Sequence, residues 1–447
     1  MRFEEMKQAL IRAAEAEGLE QYEIYYCMEE NISAEALKDE ISSFASSASG
    51  GICFRCIVNG KMGYASGELM TEDAMEELVK NAVSNAACID SDDEVFIFSG
   101  SPVYQKTTAP VAKLADAKEV RDAALDLQTA LYAESDKVGD GTQSAAVSVT
   151  EEIYLYNSNG LSLSNRVGVS VAYAMPVVRV GEEAQESFEY CVGLSQEDLA
   201  RLPQKAVRTA MDKMGAGAVE SGKYNVLFDG RQFRQFLAAF SSAFSAKNAQ
   251  LGLSLLAGKE GEAIAAPCVT LVDDPMREGC PMQTPFDGEG VATKRRNVIE
   301  NGVLNTLLYD LTTAKKAGVE STGNGQKGSY ASPVSIAPYN FSIAAGEESL
   351  DDLLKAVGNG IYITECKGFH AGANAVTGDF SIESAGFVIR DGKRAEPVKS
   401  FTVAGNFFDL LKQIDRLGNE IVWGIPGGFT VYGSPHVLVR GVSIAGK

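Results

Sequence analysis

The sequence predicts an α+β protein: an N-terminal domain of helices layered on a sheet (residues 1–220), then a mostly β C-terminal domain (residues 221–447). Three observations predict it. The first half carries amphipathic helical stripes with capping residues. Both halves carry short alternating apolar runs closed by Asn-Gly, Asp-Gly and similar turn dipeptides. The apolar content of 45% over 447 residues is enough to fill more than one core.

In chain order, Phe3, Met6, Leu10, Ala13 and Ala14 form one apolar stripe, which predicts a helix over 3–17. Strands are expected over 22–32, 34–45 and 51–57, and Asn59-Gly60 closes a hairpin onto 61–66. Thr71 caps a helix that runs to Ala86. Residues 90–111 hold Pro102 and Pro110 and read as a connector. A helix follows over 117–134, then strands from 143 to 180 that turn at Asn157-Ser-Asn-Gly160. Residues 194–214 read as helix opening at Ser195, and Pro203 splits it. The small, flexible run Gly215–Gly222 marks the domain boundary.

The second half opens with a strand over 224–228 and a helix over 231–247. Gly turns follow at Asp287-Gly288, Asn301-Gly302 and Asn359-Gly360. Short helices are expected over 349–357 and 407–417. Between them, Gly378-Asp379 and Asp391-Gly392 punctuate β structure. The run from Gly372 to Ser381 crowds glycine, amide, hydroxyl and carboxylate groups with little to bury, and loops on rigid sheets are where binding concentrates.

Charge and composition exclude several classes. Acids outnumber Lys plus Arg by 60 to 40, a formal charge of −20. Such a surface is repelled by nucleic acid and by anionic membranes. The N-terminus reads as an amphipathic helix and not as a signal peptide. The longest apolar stretch, 167–180, is broken by Pro176 and is too short to span a bilayer. A cytoplasmic address is expected. Cys53-Phe-Arg-Cys56 is the one CxxC, and it lies on a predicted strand, where i and i+3 point to opposite faces. It reads as structural. No GxGxxG after a strand, Walker lysine or GxSxG elbow occurs.

The order of several motifs resembles the TldD/PmbA family of metalloprotease-related proteins, also called modulators of DNA gyrase. They are Asn374-x-x-Thr-Gly-Asp-Phe-Ser381, Gly386-Phe-x-Ile389, Thr402-Val-Ala-Gly-Asn406, Val298-Ile-Glu-Asn-Gly-Val303 and Phe286-Asp-Gly-Glu-Gly-Val291. The likeness is strong from about Asn225 onward and looser before it. Zinc-bearing members carry His-Glu-x-x-x-His on a helix and a further cysteine ligand near the C-terminus. Two His one turn apart can share an ion whose bound water the Glu then polarises. Here the corresponding helix is residues 232–247. It offers Phe233, Phe236, Leu237, Phe240 and Phe244 beside Ser241, Ser242 and Ser245. The chain has only two histidines, His370 and His436, and no cysteine after Cys366.

The resemblance therefore implies the PmbA/TldE type, with no catalytic or metal-binding residue of its own and zinc expected only in a sister subunit. It implies a TldD-like zinc-bearing partner, or a homodimer, that handles extended peptides. His370, Asn374, Thr377, Asp379 and Ser381 are the candidate substrate-binding residues. His436 reads as structural, and Asp273-Asp274 reads as a turn. Two other functions remain open: a stand-alone peptidase with an unrecognised site, and a homodimeric peptide-binding or regulatory protein without proteolysis.

Overall fold

The computed structural model describes residues 2–90 and 94–447. It is α+β throughout, with helices on an antiparallel sheet in the first half and a β-rich second half. The first sheet runs, in order across it, Lys61–Gly67, Glu40–Val58, Tyr22–Leu37, Gln143–Asn157, Ser162–Met175 and Glu189–Val192. Its strands are long because the ladder from Tyr22 to Leu37 is paired on both sides over almost its whole length.

Alternation decides what each face does. Ile24, Tyr26, Ile32, Ala34 and Ala36 point to one face, and every N-terminal helix lies on that side. Helices Phe3–Ala16 and Glu72–Ala86 bury Met6, Leu10, Met75 and Val79 against Ile24 and Phe54. Helix Ala117–Glu134 buries Val120, Ala123 and Ala124 against Ile32, Ala34 and Ala146. The other face meets the C-terminal half at one end, where Tyr25, Cys27, Cys53 and Leu155 pack with Phe286.

The C-terminal half holds two six-stranded sheets. One runs Lys393–Asn406, Asp379–Arg390, Gly360–Lys367, Gly222–Phe228, Val437–Ala445 and Ile414–Leu417. Its first strand also pairs with Val437–Ala445, Val403 opposite Ile444, which closes the first five strands into a barrel, while Ile414–Leu417 pairs with Val437–Ala445 outside that ring. Helix Gly230–Phe240 presses its apolar stripe against these strands. Phe236 meets Phe380 edge to face with ring centroids 5.0 Å apart, and Phe240 stacks on Phe407 at 4.5 Å.

Most expected elements are present. The Thr71 hydroxyl accepts the Ala74 N–H at 3.3 Å, and Ser195 caps its helix. Pro203 sits in the first turn of the second piece of that helix, Leu202–Met211. Asn59 and Gly60 take the positive φ values (50° and 75°) that a two-residue hairpin turn needs. Within the expected connector, residues 94–111 have no regular structure, while 91–93 lie outside the described residues.

Five expectations are corrected. Two strands replace the three expected over 22–57: Tyr22–Leu37 and Glu40–Val58 turn at Lys38-Asp39. The Ser/Ala/Gly run 42–51 has little to bury, but its backbone ladder to the central strand keeps it extended. The helix expected over 231–247 ends at Phe240. A 3-10 turn, Ser241–Phe244, and a short helix, Ala246–Gln250, follow. Serines that bond backbone, Ser241 to the Ala238 carbonyl and Ser245 as the next cap, break the run. The helix expected over 407–417 stops at Lys412, since Ile414–Leu417 is claimed as a strand by Val437–Ala445. The turn expected at Asn359-Gly360 is made by Gly358 (φ 71°), and Gly360 already opens a strand. Finally, Asp379 and Ser381, expected in a loop, begin the strand Asp379–Arg390.

Candidate peptide-handling groove

Of the five residues singled out in the sequence, three build a loop, His370 lines a groove, and Ser381 does neither. Asn374, Thr377 and Asp379 build the loop. Asn374 Oδ1 accepts the N–H groups of Val376 (3.0 Å) and Thr377 (3.3 Å), and its carbonyl accepts the Gly378 N–H at 2.8 Å. Thr377 Oγ1 accepts the Asp379 N–H. Asn406, on the neighbouring strand, donates to the Thr377 carbonyl at 2.8 Å and to Asp379 Oδ1 at 3.1 Å. The Asn406 amide and then the Thr377 hydroxyl hold the exposed Asp379 carboxyl below its ordinary range. Gly378 has φ 80°, and a Cβ there would stand 2.8 Å from the Asn406 side chain. That loop is a rigid, self-bonded turn.

His370 is placed differently. It lies on the single-turn helix Phe369–Gly372, is exposed, and lines an open groove of about 490 Å³. The groove lies between this turn and the solvent side of helix Gly230–Phe240. Gln235, Ala238 and Ala239 form one wall, and Phe369, His370, Ala373 and Ala375 the other. Ser381 and Asn374 are exposed nearby in the chain but are not among the lining residues.

The groove is set by what lies behind it. Phe369 packs edge to face on Phe236 at 4.8 Å, which fixes the spacing of the two walls. Gln232 Nε2 donates to the Thr364 carbonyl at 2.8 Å, and its Oε1 accepts from both Cys366 N–H and Gln235 Nε2. Gln235 is thereby held, and its own Oε1 has no hydrogen bond among the described residues. The Phe side of this helix is legible in the sequence as an apolar stripe, whereas the Gln235–Ala238–Ala239 side does not stand out from it. The signal was present: small and polar residues at i, i+3 and i+4 opposite an apolar stripe.

The site chemistry does not suit zinc. Gln235, Ala238 and Ala239 supply no thiolate, imidazole or carboxylate. Among the described residues no group of three His, Cys, Asp or Glu is placed to share a metal. His436 is elsewhere: its Nδ1 accepts the Gly230 N–H at 3.1 Å at the start of the helix, and its ring stands edge-on to Tyr362. Asp273 is fully buried in a strand, not in a turn. Its oxygens accept the Tyr339 N–H (2.8 Å) and Asn324 Nδ2 (2.7 Å), and burial raises its carboxyl to about 6. Cys53 and Cys56 face different cores, and all eight cysteines are free thiols.

Residues 221–446 match the model of the PmbA/TldA metallopeptidase C-terminal domain. Residues 22–86 match domain 1 and residues 112–214 the central domain of the same family. A metalloprotease of Methanothermobacter thermautotrophicus is 29% identical over 433 residues, 92% of each chain. The crystal structure of a Thermotoga maritima MSB8 protein aligns with a TM-score of 0.89 at 29% identity, covering 99% of this chain and 100% of that one. TldE from Thermococcus kodakarensis shares the fold, with a TM-score of 0.89 at 24% identity over 98% of this chain and 100% of that one.

Proposed function

Because the chain belongs to the TldD/PmbA metallopeptidase family, we propose that it is the metal-free subunit of a cytoplasmic metalloprotease, working with a zinc-bearing sister chain on unfolded or leader peptides. One observation carries this reading. The helix that the family resemblance assigns to zinc binding presents Gln235, Ala238 and Ala239 to an open groove. Those side chains cannot ligate zinc or polarise its water. They can line a channel for an extended peptide, with Gln235 and His370 as its polar contacts and small residues leaving room for variable side chains. Asn374, Thr377 and Asp379 act with them by fixing the loop that follows Ala375, and Ser381, exposed on the strand that follows, is the remaining substrate-binding candidate. No helix among the described residues is long and apolar enough to cross a membrane.

The test has two parts. Elemental analysis of the pure chain is expected to find no stoichiometric zinc, and one tightly held zinc per chain would overturn the reading. Mixed with a zinc-bearing TldD-like sister, the chain is expected to co-purify and to support chelator-sensitive peptide cleavage. Replacing Gln235 and His370 by alanine should then slow cleavage roughly tenfold, the loss of about 1.4 kcal/mol of binding, with melting unchanged. Cleavage by the sister alone at the same rate would defeat the proposal.

A further inference from the structure

A second cavity lies at the seam between the two halves and shares no lining residue with the groove beside His370. Its floor is made by three barrel strands, Gly360–Lys367, Asp379–Arg390 and Lys393–Asn406. Gln185 and Lys213 reach it from the first half, and Ala216 from the linker. The linker is pinned there. The Gly217 N–H donates to the Pro397 carbonyl at 2.9 Å, and the Lys399 N–H donates to the Gly217 carbonyl at 3.0 Å. The cavity holds about 200 Å³, less than the ~300–1,000 Å³ of sites for drug-sized ligands. It suits a molecule of a few carbon atoms.

The backbone under the cavity is irregular in two adjoining ladders. Pairing shifts between Ile363 and Glu365 in one, and between Ser384 and Gly386 in the next. Lys399 and Ser400 fall outside the second ladder, and Ser400 takes φ 56°, a left-handed value that side chains rarely adopt. Bulges and such backbone outliers gather at binding sites, where they re-aim side chains. Two of the three lysines on the walls are already engaged: Lys213 and Lys367 hold the one Glu365 carboxylate at 2.6 and 2.5 Å. Two other charges are not. Lys399 Nζ has no hydrogen bond among the described residues and stands 3.9 Å from Glu183. The exposed Glu383 carboxylate, also on the wall, has neither a hydrogen bond nor an ion pair among the described residues.

We propose that this cavity binds a free α-amino acid with a small aliphatic side chain, its carboxylate against Lys399 and its ammonium against Glu383. The two unspent charges select this ligand. A simple anion leaves Glu383 unanswered, and a simple cation leaves Lys399 so. The chain carries −20 and repels anions at a distance, whereas a zwitterion has no net charge to repel. One exposed ion pair contributes little by itself, so binding needs both ends of the ligand engaged. Ala216, Ala385 and Pro397 give its side chain an apolar bed. The volume admits valine and excludes a peptide. The site does not rest on the peptide-handling reading.

The experiment reads binding, not cleavage. Calorimetric titration of the full chain with L-valine should show saturable binding with a Kd of about 1 mM or tighter. Isobutyrate, which lacks the ammonium, and isobutylamine, which lacks the carboxylate, should each bind at least about tenfold more weakly. Lys399→Met and Glu383→Gln should each weaken L-valine about tenfold and, both residues being exposed, leave melting without ligand unchanged. Lys399→Arg keeps the charge and should bind within about threefold of wild type. No saturable binding of L-valine up to about 10 mM would overturn the proposal. So would isobutyrate binding as tightly as L-valine, which marks a plain anion site, or full affinity in either charge-removing variant. If a variant fails to fold, amide exchange on wild type decides. Slowing by L-valine over residues 383–386 and 397–400 supports the site, and slowing confined to other residues refutes it.

Discussion

Asp287 and Glu289 are the pair of residues whose environment departs furthest from what their local sequence suggests. Both are buried, and burial pushes both carboxyls upward, Glu289 also through its neighbour's charge. Their bonding differs. Asp287 accepts three backbone N–H groups, from Glu289, Val291 and Gly325, each at 2.9 Å. Glu289 accepts one, from Leu311. Three donors favour the charged form, so the proton of the pair sits on Glu289. A carboxyl with a raised folded pKa holds its proton where the unfolded chain has released it. Its stabilising contribution is full below about pH 4 and is lost as pH rises through the folded value. Thermal melts should therefore fall between pH 5.5 and 8.5, and Glu289→Gln should shrink that fall by raising stability at the alkaline end. An unchanged pH slope in the variant would refute the assignment. Asp287→Asn should cost about 3 kcal/mol above pH 7, where the carboxylate is charged, because an amide cannot accept all three donors. At the loop, Asn374→Ala with Asp379→Ala removes bonds that hold an exposed turn. The melting temperature should drop by the equivalent of about 1 kcal/mol for the two Asn374 bonds alone, and more at neutral than at acid pH, since the Asp379 contribution needs its charge. Urea melts at pH 3 and pH 7 measure this, and equal losses at both would show that Asp379 contributes nothing.

Helix Gly230–Phe240 carries both the core and the groove. Its stripe of Phe233, Phe236, Leu237 and Phe240 is at most 1% exposed. Phe236 alone contacts Phe228, Phe233, Phe369 and Phe380. Phe236→Ala should cost about 3–5 kcal/mol in chemical denaturation. It should also loosen the groove, since Phe369 rests on the same ring. Ala238→Ser, on the open side, should leave stability within about 0.5 kcal/mol. Equal effects of the two substitutions would mean that the two sides of the helix are not divided in this way. Serine hydroxyls also help to end the helix, since Ser241 bonds back to the Ala238 carbonyl. Ser254 and Ser245 both bond backbone just beyond it, so the apolar repeat that runs on to Phe244 continues through a 3-10 turn.

Across the whole molecule, the two halves are joined by buried polar groups as well as by Phe286 in the first sheet's core. Gln283, 1% exposed, accepts the N–H groups of Thr108 (2.7 Å) and Ala109 (3.0 Å) and donates to Thr108 Oγ1 and the Arg277 carbonyl. It ties the irregular segment before helix Ala117–Glu134 to the C-terminal half. Half-buried Arg55 pairs with buried Glu23 at 2.8 Å on the same sheet. Gln283→Ala should release the segment around Thr108, seen as faster limited proteolysis there and a loss of about 2 kcal/mol from stranded N–H donors. Unchanged proteolysis would show that the segment is held by other contacts.

The sequence by itself determined the α+β class, the caps at Thr71 and Ser195, the hairpin at Asn59-Gly60, the structural role of the CxxC and the family likeness. Each rests on local chemistry: a hydroxyl at a helix start, positive φ at a turn, alternation along a strand. It could not determine where strands of small residues end, because residues 42–51 are held by a ladder to a distant part of the chain and not by their own preference. Nor could it separate residues that build a loop from residues that line a groove. Asn374, Thr377 and Asp379 look alike to His370 in composition, and only the fold spends the former on backbone hydrogen bonds and turns the latter toward Gln235. The buried carboxyls at Asp287 and Glu289 were legible as a Gly turn and nothing more. Their protonation is a property of dielectric and neighbours, which exist only once the two halves of the chain are packed together.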